Sequence, residues 1–127
     1  MCGIIGIASN KSVSTNIIES LKRLKYRGYD SAGLATLHNS QIQEKKCTGR
    51  VEKLEQMLFK NSALGSVGIG HVRWATHGLP NEINAHPHSS EVVSVVHNGI
   101  IENSDDIKKD LEQKGAKFKS QTDTEVI

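Results

Sequence analysis

The spacing of hydrophobic positions changes along the chain, and each spacing predicts one kind of element. Residues 3–9 form a short apolar run punctuated by glycine, which predicts a buried strand. Ser12 or Ser14 is then a candidate N-cap for a helix. The helical spacing is carried by Val13, Ile17, Leu21 and Leu24. Residues 26–33 interrupt this spacing and predict a loop.

The next part of the chain predicts a hairpin, a helix and a strand. Residues 33–38 and 41–47 have the pattern of two strands, and Asn39-Ser40 between them predicts a tight turn. A second, short helix is indicated by the spacing of Val51, Leu54, Met57 and Leu58. Residues 67–73 form the next predicted strand.

The last third of the chain begins with a long stretch without periodicity. Residues 75–90 predict a long loop, a feature that is often functional in small domains. The β-branched run at 91–97 predicts a strand, 103–114 a third helix and 116–119 a last strand. Residues 122–125 resemble a capping box that opens a helix. The sequence stops within that helix's first turn, so we expect a domain that is incomplete at its C-terminus.

Composition and charge exclude several classes of protein. The 127 residues suit one modest domain, with 36% hydrophobic and 24% charged residues. The net charge is +2 and both signs are interleaved, which gives no case for a nucleic-acid or membrane surface. No segment resembles a signal peptide or a membrane span. Cys2 and Cys47 do not form a disulfide framework, so a cytoplasmic location is expected.

Met1-Cys2-Gly3 offers a nucleophile at the start of the chain. Removal of Met1 is plausible before so small a residue as Cys2, and it would leave a free α-amine beside the thiol. That amine has an ordinary pKa of about 7.7–8.0. It can therefore take the thiol proton and return it to a leaving group. Taken alone, these three residues favour a small buried cysteine at the start of a strand.

Asn98-Gly99 follows the predicted strand 91–97 and has two interpretations. Asn-Gly is the leading signal for a two-residue hairpin turn. The Asn98 amide and the Gly99 N–H are also suited to an oxyanion hole, since both can point at one negative oxygen. Ile100 and Ile101 continue the apolar pattern without an alternating return strand, which weakens the hairpin interpretation.

Polar groups at 73–77 and at Asp123 suit an amino-acid substrate. Arg73 can bind a carboxylate through two parallel hydrogen bonds, and Thr76 and His77 can add others. Trp74, the chain's single Trp, is either core or a pocket wall. Asp123 is suited to an ammonium group, and equally to capping the helix that begins there.

A metal site and a phosphate loop are not supported by the spacings. His86-Pro87-His88, together with His77 and Cys47, matches no zinc pattern and is better explained as a structured loop. The glycines between 65 and 70 are not followed by the Gly-Lys-Ser/Thr of a phosphate loop. We therefore predict no metal ion and no cofactor.

Six segments carry a family resemblance. They are MCGIIG (1–6), YRGYDSAG (26–33), HVRWATHG (71–78), NAHPH (84–88), VHNGIIEN (96–103) and TDTEVI (122–127). In this order they resemble the N-terminal glutaminase domain of the glutamine–fructose-6-phosphate aminotransferase (isomerizing) family. Each segment alone is only suggestive, but together they are highly specific.

The resemblance implies an α+β fold, the N-terminal-nucleophile hydrolase sandwich of four αββα layers, represented here by roughly its first half. It implies that Cys2 is the nucleophile and that Asn98 and Gly99 form the oxyanion hole. The implied reaction is hydrolysis of glutamine to glutamate and ammonia through a thioester on Cys2. The whole of 1–127 would be an incomplete type-2 glutamine amidotransferase domain.

The resemblance also implies the residues that bind glutamine. Arg73, Thr76 and His77 match the positions that hold the glutamine carboxylate. Asp123 matches the residue that holds the ammonium group, and Trp74 matches an aromatic residue beside the site.

The partners that the resemblance implies extend beyond this chain. In the full enzyme, ammonia passes to a sugar-phosphate isomerase domain that converts fructose 6-phosphate to glucosamine 6-phosphate without a metal or organic cofactor. That domain is absent from residues 1–127, and the full-length enzyme is expected to be a homo-oligomer. We also expect exposed sheet edges and an uncovered apolar face.

Two alternatives stay open. One is the glutaminase domain of another type-2 amidotransferase, such as amidophosphoribosyltransferase or asparagine synthetase. The other is a non-enzymatic fragment of a split or truncated gene.

Overall fold

A four-stranded antiparallel sheet forms the centre of the fold. The computed structural model describes residues 1–75 and 78–127, and every side chain among them except that of Arg27. The strands are β1 (Gly3–Ala8), β2 (Ser31–His38), β3 (Gln41–Thr48) and β4 (Val67–Arg73). Their order across the sheet is β1-β4-β2-β3, and each neighbouring pair is antiparallel.

The predicted hairpin between β2 and β3 is confirmed. His38 faces Gln41 across the ladder, so Asn39 and Ser40 are the two residues of the turn. Their φ angles are 49° and 60°, and paired positive φ angles match the twist of the two flanking strands. β2 begins at Ser31, two residues before the predicted start.

Two helices cover one face of the sheet. They are α1 (Ser14–Leu24) and α2 (Val51–Lys60). A 3-10 turn at Lys25–Arg27 follows α1. The core between helices and sheet includes the fully buried side chains of Ile17, Leu21, Leu34 and Leu54. Burying such a side chain contributes about 1.5–3 kcal/mol. Gly70 brings α1 close to the sheet, since a Cβ there would lie 2.5 Å from Ile17 Cγ2.

The predicted serine cap of α1 is wrong. Val13 occupies the N-cap position, Ser14 is the first helical residue, and no side chain caps the helix. The start of α1 is fixed instead by the backbone, because the Val13 N–H donates to the Gly65 carbonyl at 2.9 Å. Val13 is 1% exposed, so its burial in the core adds to this anchor.

The second half of the chain forms smaller elements. These are β5 (His88–Ser89), β6 (Ser94–Val95), α3 (Ser104–Gln113) and a 3-10 turn (Asp123–Val126). β5 pairs with β6 as a separate two-stranded sheet. In the described part of the chain, no helix is long and apolar enough to cross a membrane.

Two predicted strands are corrected. The run at 91–97 contributes only β6, since Ser90 turns the chain back by accepting the Val93 N–H and donating to the Val93 carbonyl. Further along, the His97 N–H donates to His86 Nδ1 at 3.4 Å rather than to a strand partner. Residues 116–119 form no strand.

The predicted capping box at 122–125 does not form either. Thr122 makes no cap hydrogen bond, and its hydroxyl instead lies 2.9 Å from His88 Nε2. The Glu125 carboxylate accepts the backbone N–H groups of Lys119 and Ser120 at 2.8 and 2.6 Å. These bonds bend residues 119–125 into a loop that ends in a 3-10 turn.

The face of the sheet opposite the helices carries the polar residues. Strand alternation places Val72 toward the helices and His71 and Arg73 on the opposite face, together with Ile4 of β1, the register partner of His71. Part of this opposite face is open, as predicted, and Leu37 is 48% exposed there.

Candidate active site

Cys2 is held at the end of the sheet, immediately before β1. Its Sγ accepts the backbone N–H of Trp74 at 3.2 Å and lies 3.5 Å from the Trp74 carbonyl. Trp74 is the first residue after β4, which pairs with β1. The antiparallel register of these two strands therefore fixes where the thiol sits.

Met1 controls the chemistry available to Cys2. The Met1 ammonium donates to the Gly28 carbonyl at 3.1 Å, and the residue is 66% exposed. While Met1 is attached, the nitrogen of Cys2 is a peptide amide without a basic lone pair. Removal of this exposed residue would convert that nitrogen into an amine beside the thiol.

Arg73 brings a buried cation to the same end of the sheet. The residue is 4% exposed, and its Nη1 donates to the Leu79 carbonyl at 3.4 Å. Burial lowers the pKa of the guanidinium, and the charges of Asp30, Cys2 and Asp123 oppose that effect. Arginine keeps its charge under such conditions, so the site holds a fixed cation close to Cys2 and Asp123.

Asp30 lies in the candidate site, although the sequence did not single it out. Its Oδ2 accepts the Ala75 N–H at 2.6 Å, and its backbone N–H donates to the Arg73 carbonyl at 2.8 Å. These bonds tie the loop before β2 to the chain that leaves β4. The sequence places Asp30 in the predicted loop 26–33, but the spacing of residues does not reveal that its partner in the fold is Ala75.

The predicted glutamine-binding residues beside Arg73 are placed only in part. Thr76 and His77 lie outside the described residues. Trp74 is 53% exposed, so the alternative that it is a core residue is wrong. Its ring lies against Gly28, in the loop that also receives Met1. The exposed ring borders the Cys2 end of the sheet.

Asn98-Gly99 is not a hairpin turn. β6 ends at Val95 and pairs only with β5 among the described strands, so the chain after Gly99 is no return strand. The segment is exposed but anchored. Asn98 Oδ1 lies 2.8 Å from His71 Nε2, and the Ile101 N–H donates to Asp123 Oδ2 at 2.8 Å.

Asp123 links this segment to the end of the chain. It is 7% exposed and is the first residue of the 3-10 turn, and its carboxylate bonds to Ile101 rather than capping its own turn. The next residue, Thr124, lies 3.2 Å from His97 Nδ1 through its hydroxyl. Residues 97–101 are thus held in place by two neighbours in the 3-10 turn.

Three histidines pack beneath the site. The rings of His71 and His86 are stacked at 4.2 Å, and the His88 ring meets His86 edge-on at 4.7 Å. Burial lowers the pKa of His71 and of His88 to about 4, and it lowers that of His86 further. In the part of the chain that the structure describes, no three His, Cys, Asp or Glu side chains are arranged to hold a metal ion.

Gly33 lets this cluster lie on the sheet. A Cβ at that position would be 2.1 Å from the carbonyl oxygen of His86, so no side chain fits between them. Lys46, across the ladder from Gly33, donates to the Pro87 carbonyl at 3.1 Å. The loop 86–88 therefore rests directly on the backbone of β2.

Comparison with known proteins identifies the family to which the sequence is similar. The family model described as "Glutamine amidotransferase domain" matches residues 55–127. The chain is 54% identical to glutamine–fructose-6-phosphate aminotransferase (isomerizing) of Clostridium acetobutylicum and 51% identical to that of Agrobacterium fabrum. Both alignments cover 100% of this chain and 21% of the relative, so the chain spans about a fifth of these relatives' length.

Solved structures give the same answer for the fold. The glutamine phosphoribosylpyrophosphate amidotransferase of B. subtilis superposes with a TM-score of 0.82 at 27% identity, over 99% of this chain and 28% of that chain. A structure titled as the allosteric regulatory enzyme of purine biosynthesis superposes with a TM-score of 0.83 at 27% identity, again over 99% and 28%.

The chain belongs to the glutamine amidotransferase family. Its matches to the aminotransferases lie in their N-terminal part. The predicted α+β class and N-terminal-nucleophile fold are confirmed, and the chain supplies about half of that fold. In this chain, α1 and α2 form a helical layer, and the four-stranded sheet lies beneath it.

Proposed function

We propose that this chain is the glutamine-hydrolysing part of a glutamine–fructose-6-phosphate aminotransferase. The observation that carries the proposal is the position of the Cys2 thiol, which lies against the Trp74 N–H and beside the buried cation of Arg73. The high identity to aminotransferases along the whole chain supports the same assignment.

In the proposed reaction, loss of Met1 frees the α-amine of Cys2, which takes the thiol proton. The sulfur attacks the side-chain carbonyl carbon of L-glutamine, and the carbonyl oxygen becomes an oxyanion. Asn98 Nδ2 and the Gly99 N–H stabilise that charge. The C–N bond then breaks, ammonia leaves with the proton held by the amine, and a thioester remains on Cys2. Water hydrolyses the thioester to glutamate.

Substrate binding is proposed to use the charges on either side of Cys2. The Arg73 guanidinium binds the α-carboxylate of glutamine, and the Asp123 carboxylate binds its α-ammonium. Thr76 and His77 are proposed as further carboxylate contacts, and Trp74 as a wall of the pocket. Two fixed charges of opposite sign select a free amino acid over a peptide-bound glutamine.

The acceptor of the ammonia lies outside the chain. We propose fructose 6-phosphate, bound by a separate isomerase domain of a cytoplasmic homo-oligomer. The two cysteines of the chain are both free thiols, which supports a reducing compartment. The structural neighbours favour phosphoribosyl pyrophosphate as the second candidate acceptor, but their 27% identity is about half that of the aminotransferases.

Intact mass before and after treatment with a diazoketone analogue of glutamine tests the first half-reaction. We expect loss of the Met1 mass and one adduct, mapped to Cys2. A protein that has lost Met1 but takes no adduct would overturn the proposal and favour the non-enzymatic alternative. Glutamine-dependent amination of fructose 6-phosphate, compared with phosphoribosyl pyrophosphate, then decides the acceptor.

A further inference from the structure

A buried histidine holds the side chain that would stabilise the oxyanion. His71 in β4 is 0% exposed, and its Nε2 lies 2.8 Å from Asn98 Oδ1. The same nitrogen lies 3.2 Å from the carbonyl oxygen of His97. His71 has no part in the reaction steps proposed above, yet it contacts the residue on which the oxyanion step depends.

The His97 carbonyl determines which form of His71 is present. A backbone carbonyl can only accept a hydrogen bond, so His71 Nε2 must carry the hydrogen. A donor at Nε2 in turn requires an acceptor from Asn98, which orients the amide with Oδ1 toward His71 and Nδ2 away from it. One backbone atom thus fixes the orientation of the Asn98 amide.

The other ring nitrogen agrees with this assignment. His71 Nδ1 is buried and has no hydrogen-bond partner among the described residues, and the ring is stacked on that of His86. A protonated Nδ1 would leave a buried donor without an acceptor among the described residues. Burial lowers the pKa of His71 to about 4, so the neutral ring with its hydrogen on Nε2 persists at neutral pH.

We propose that His71 is a positioning residue for the oxyanion hole, because its Nε2–H turns the Nδ2 group of Asn98 toward the substrate at Cys2. The inference rests on the glutaminase function proposed above. His71 faces Ile4 across the β4–β1 ladder. Cys2 lies two residues before Ile4 on the same face, about 7 Å along the strand.

The contact matters because the two ends of an amide have opposite character. A flipped Asn98 would present Oδ1 to the oxyanion and repel it, whereas the correct orientation presents a donor. His71 removes the flipped state before substrate arrives. Its loss should therefore lower kcat more than it raises KM, since the oxyanion exists only after attack.

Two substitutions at the same position separate the hydrogen bond from the bulk of the ring. The side-chain nitrogen of His71→Gln reaches about as far as Nε2 of histidine, whereas that of His71→Asn reaches only as far as Nδ1. Removing one oxyanion donor typically costs a factor of about 10²–10³ in kcat. We expect His71→Asn to lower kcat by about 10–100-fold with KM within about threefold, and His71→Gln to restore kcat to within about threefold of wild type.

A double mutant with Asn98→Ala tests whether His71 acts through Asn98. We expect His71→Asn to change kcat by less than about twofold when Asn98 is already Ala, since the partner is gone. Independent, multiplying losses would overturn the proposal, and so would wild-type kcat in His71→Asn. Loss of Cys2 alkylation and of cooperative unfolding in both His71 variants would show a purely structural residue and would also overturn it.

Failure of the proposed function has a different signature. Wild-type protein that releases no glutamate, or Asn98→Ala protein as active as wild type, would remove the oxyanion assignment itself. An active wild type, an impaired Asn98→Ala and an unimpaired His71→Asn would reject only the role of His71.

Discussion

The backbone N–H of Trp74 donates a hydrogen bond to the sulfur of Cys2 at 3.2 Å. Because this donor belongs to the main chain, substitution of the Trp74 side chain does not remove it. The hydrogen bond between Trp74 and Cys2 depends on the pairing of β1 with β4, which brings together two residues that lie 72 positions apart in sequence. The position of the Cys2 sulfur therefore follows from the register of these two strands.

Replacing Cys2 should abolish glutamine hydrolysis. We expect Cys2→Ala to lower glutamate release by at least about a thousandfold, because the proposed reaction passes through a thioester on this sulfur. Cys47→Ala is the matched control. Cys47 is fully buried against the carbonyl of Arg50, so its loss should cost about 1 kcal/mol of stability and leave the rate unchanged. Equal loss of glutamate release in both variants would contradict the assignment of the nucleophile.

Arg73→Lys should weaken glutamine binding while keeping a positive charge. Lysine cannot make the two parallel hydrogen bonds of a guanidinium with a carboxylate. We expect KM for glutamine to rise about 10–100-fold, as for loss of a charge-assisted hydrogen bond of about 1.5–3 kcal/mol. Arg50→Lys, at the exposed N-cap position of α2, should leave KM unchanged. An unchanged KM in Arg73→Lys, measured by glutamate release, would argue against carboxylate binding at this position.

Gly33→Ala should separate the loop 86–88 from the sheet. The added methyl group would meet the carbonyl oxygen of His86, and such overpacking typically costs about 1–3 kcal/mol. Gly6→Ala in β1 is the control, because a Cβ at Gly6 meets nothing within 4 Å. It should leave stability unchanged or raise it by up to about 1 kcal/mol. Urea unfolding of the two variants measures the difference, and equal stabilities would refute the close approach at Gly33.

The histidine cluster should make the fold sensitive to acid. In the unfolded chain a histidine has a pKa of about 6.5, whereas His71 and His88 have pKa values of about 4 in the fold. The unfolded state therefore binds more protons between these values. The free energy of unfolding that the neutral rings contribute is fully present above pH about 6.5 and is lost as the pH falls toward about 4. For a fully buried ring the loss amounts to about 3 kcal/mol.

Urea unfolding across that pH range measures the effect, and His88→Gln identifies its source. Glutamine does not titrate, and it keeps a polar group near the Thr122 hydroxyl that His88 contacts. We expect the free energy of unfolding to fall less steeply with acid in His88→Gln than in wild type. Identical pH dependence of the two proteins would show that His88 does not contribute.

Local patterns predicted the first half of the fold well. The β2–β3 hairpin at Asn39 and Ser40 and both amphipathic helices depend on neighbours in sequence, and they form as expected. The run at 91–97 failed because Ser90 bonds to Val93 and turns the chain back, and because a second contact is more distant in sequence. The His97 N–H bonds to His86, 11 residues away, a partner that the spacing of the valines does not reveal.

The candidate site shows the same division. Cys2, Arg73, Asn98 and Asp123 could be named from residue type and family resemblance. Asp30 and His71 could not, because their roles consist of partners 45 and 27 residues away. His71 stands in a predicted strand, where a buried histidine is indistinguishable from any other core position until its neighbour is known.

The pairing of β1 with β4 also limits how sequences of this family can vary in length. Side chains alternate between the faces of a strand, so inserting one residue between Cys2 and Gly3, or deleting Gly3, would turn the thiol to the helical side. There the space beside Gly3 is filled by Leu24 and Val72. We expect insertions and deletions to accumulate at surface turns such as 39–40 and to be absent from the first few residues of the chain.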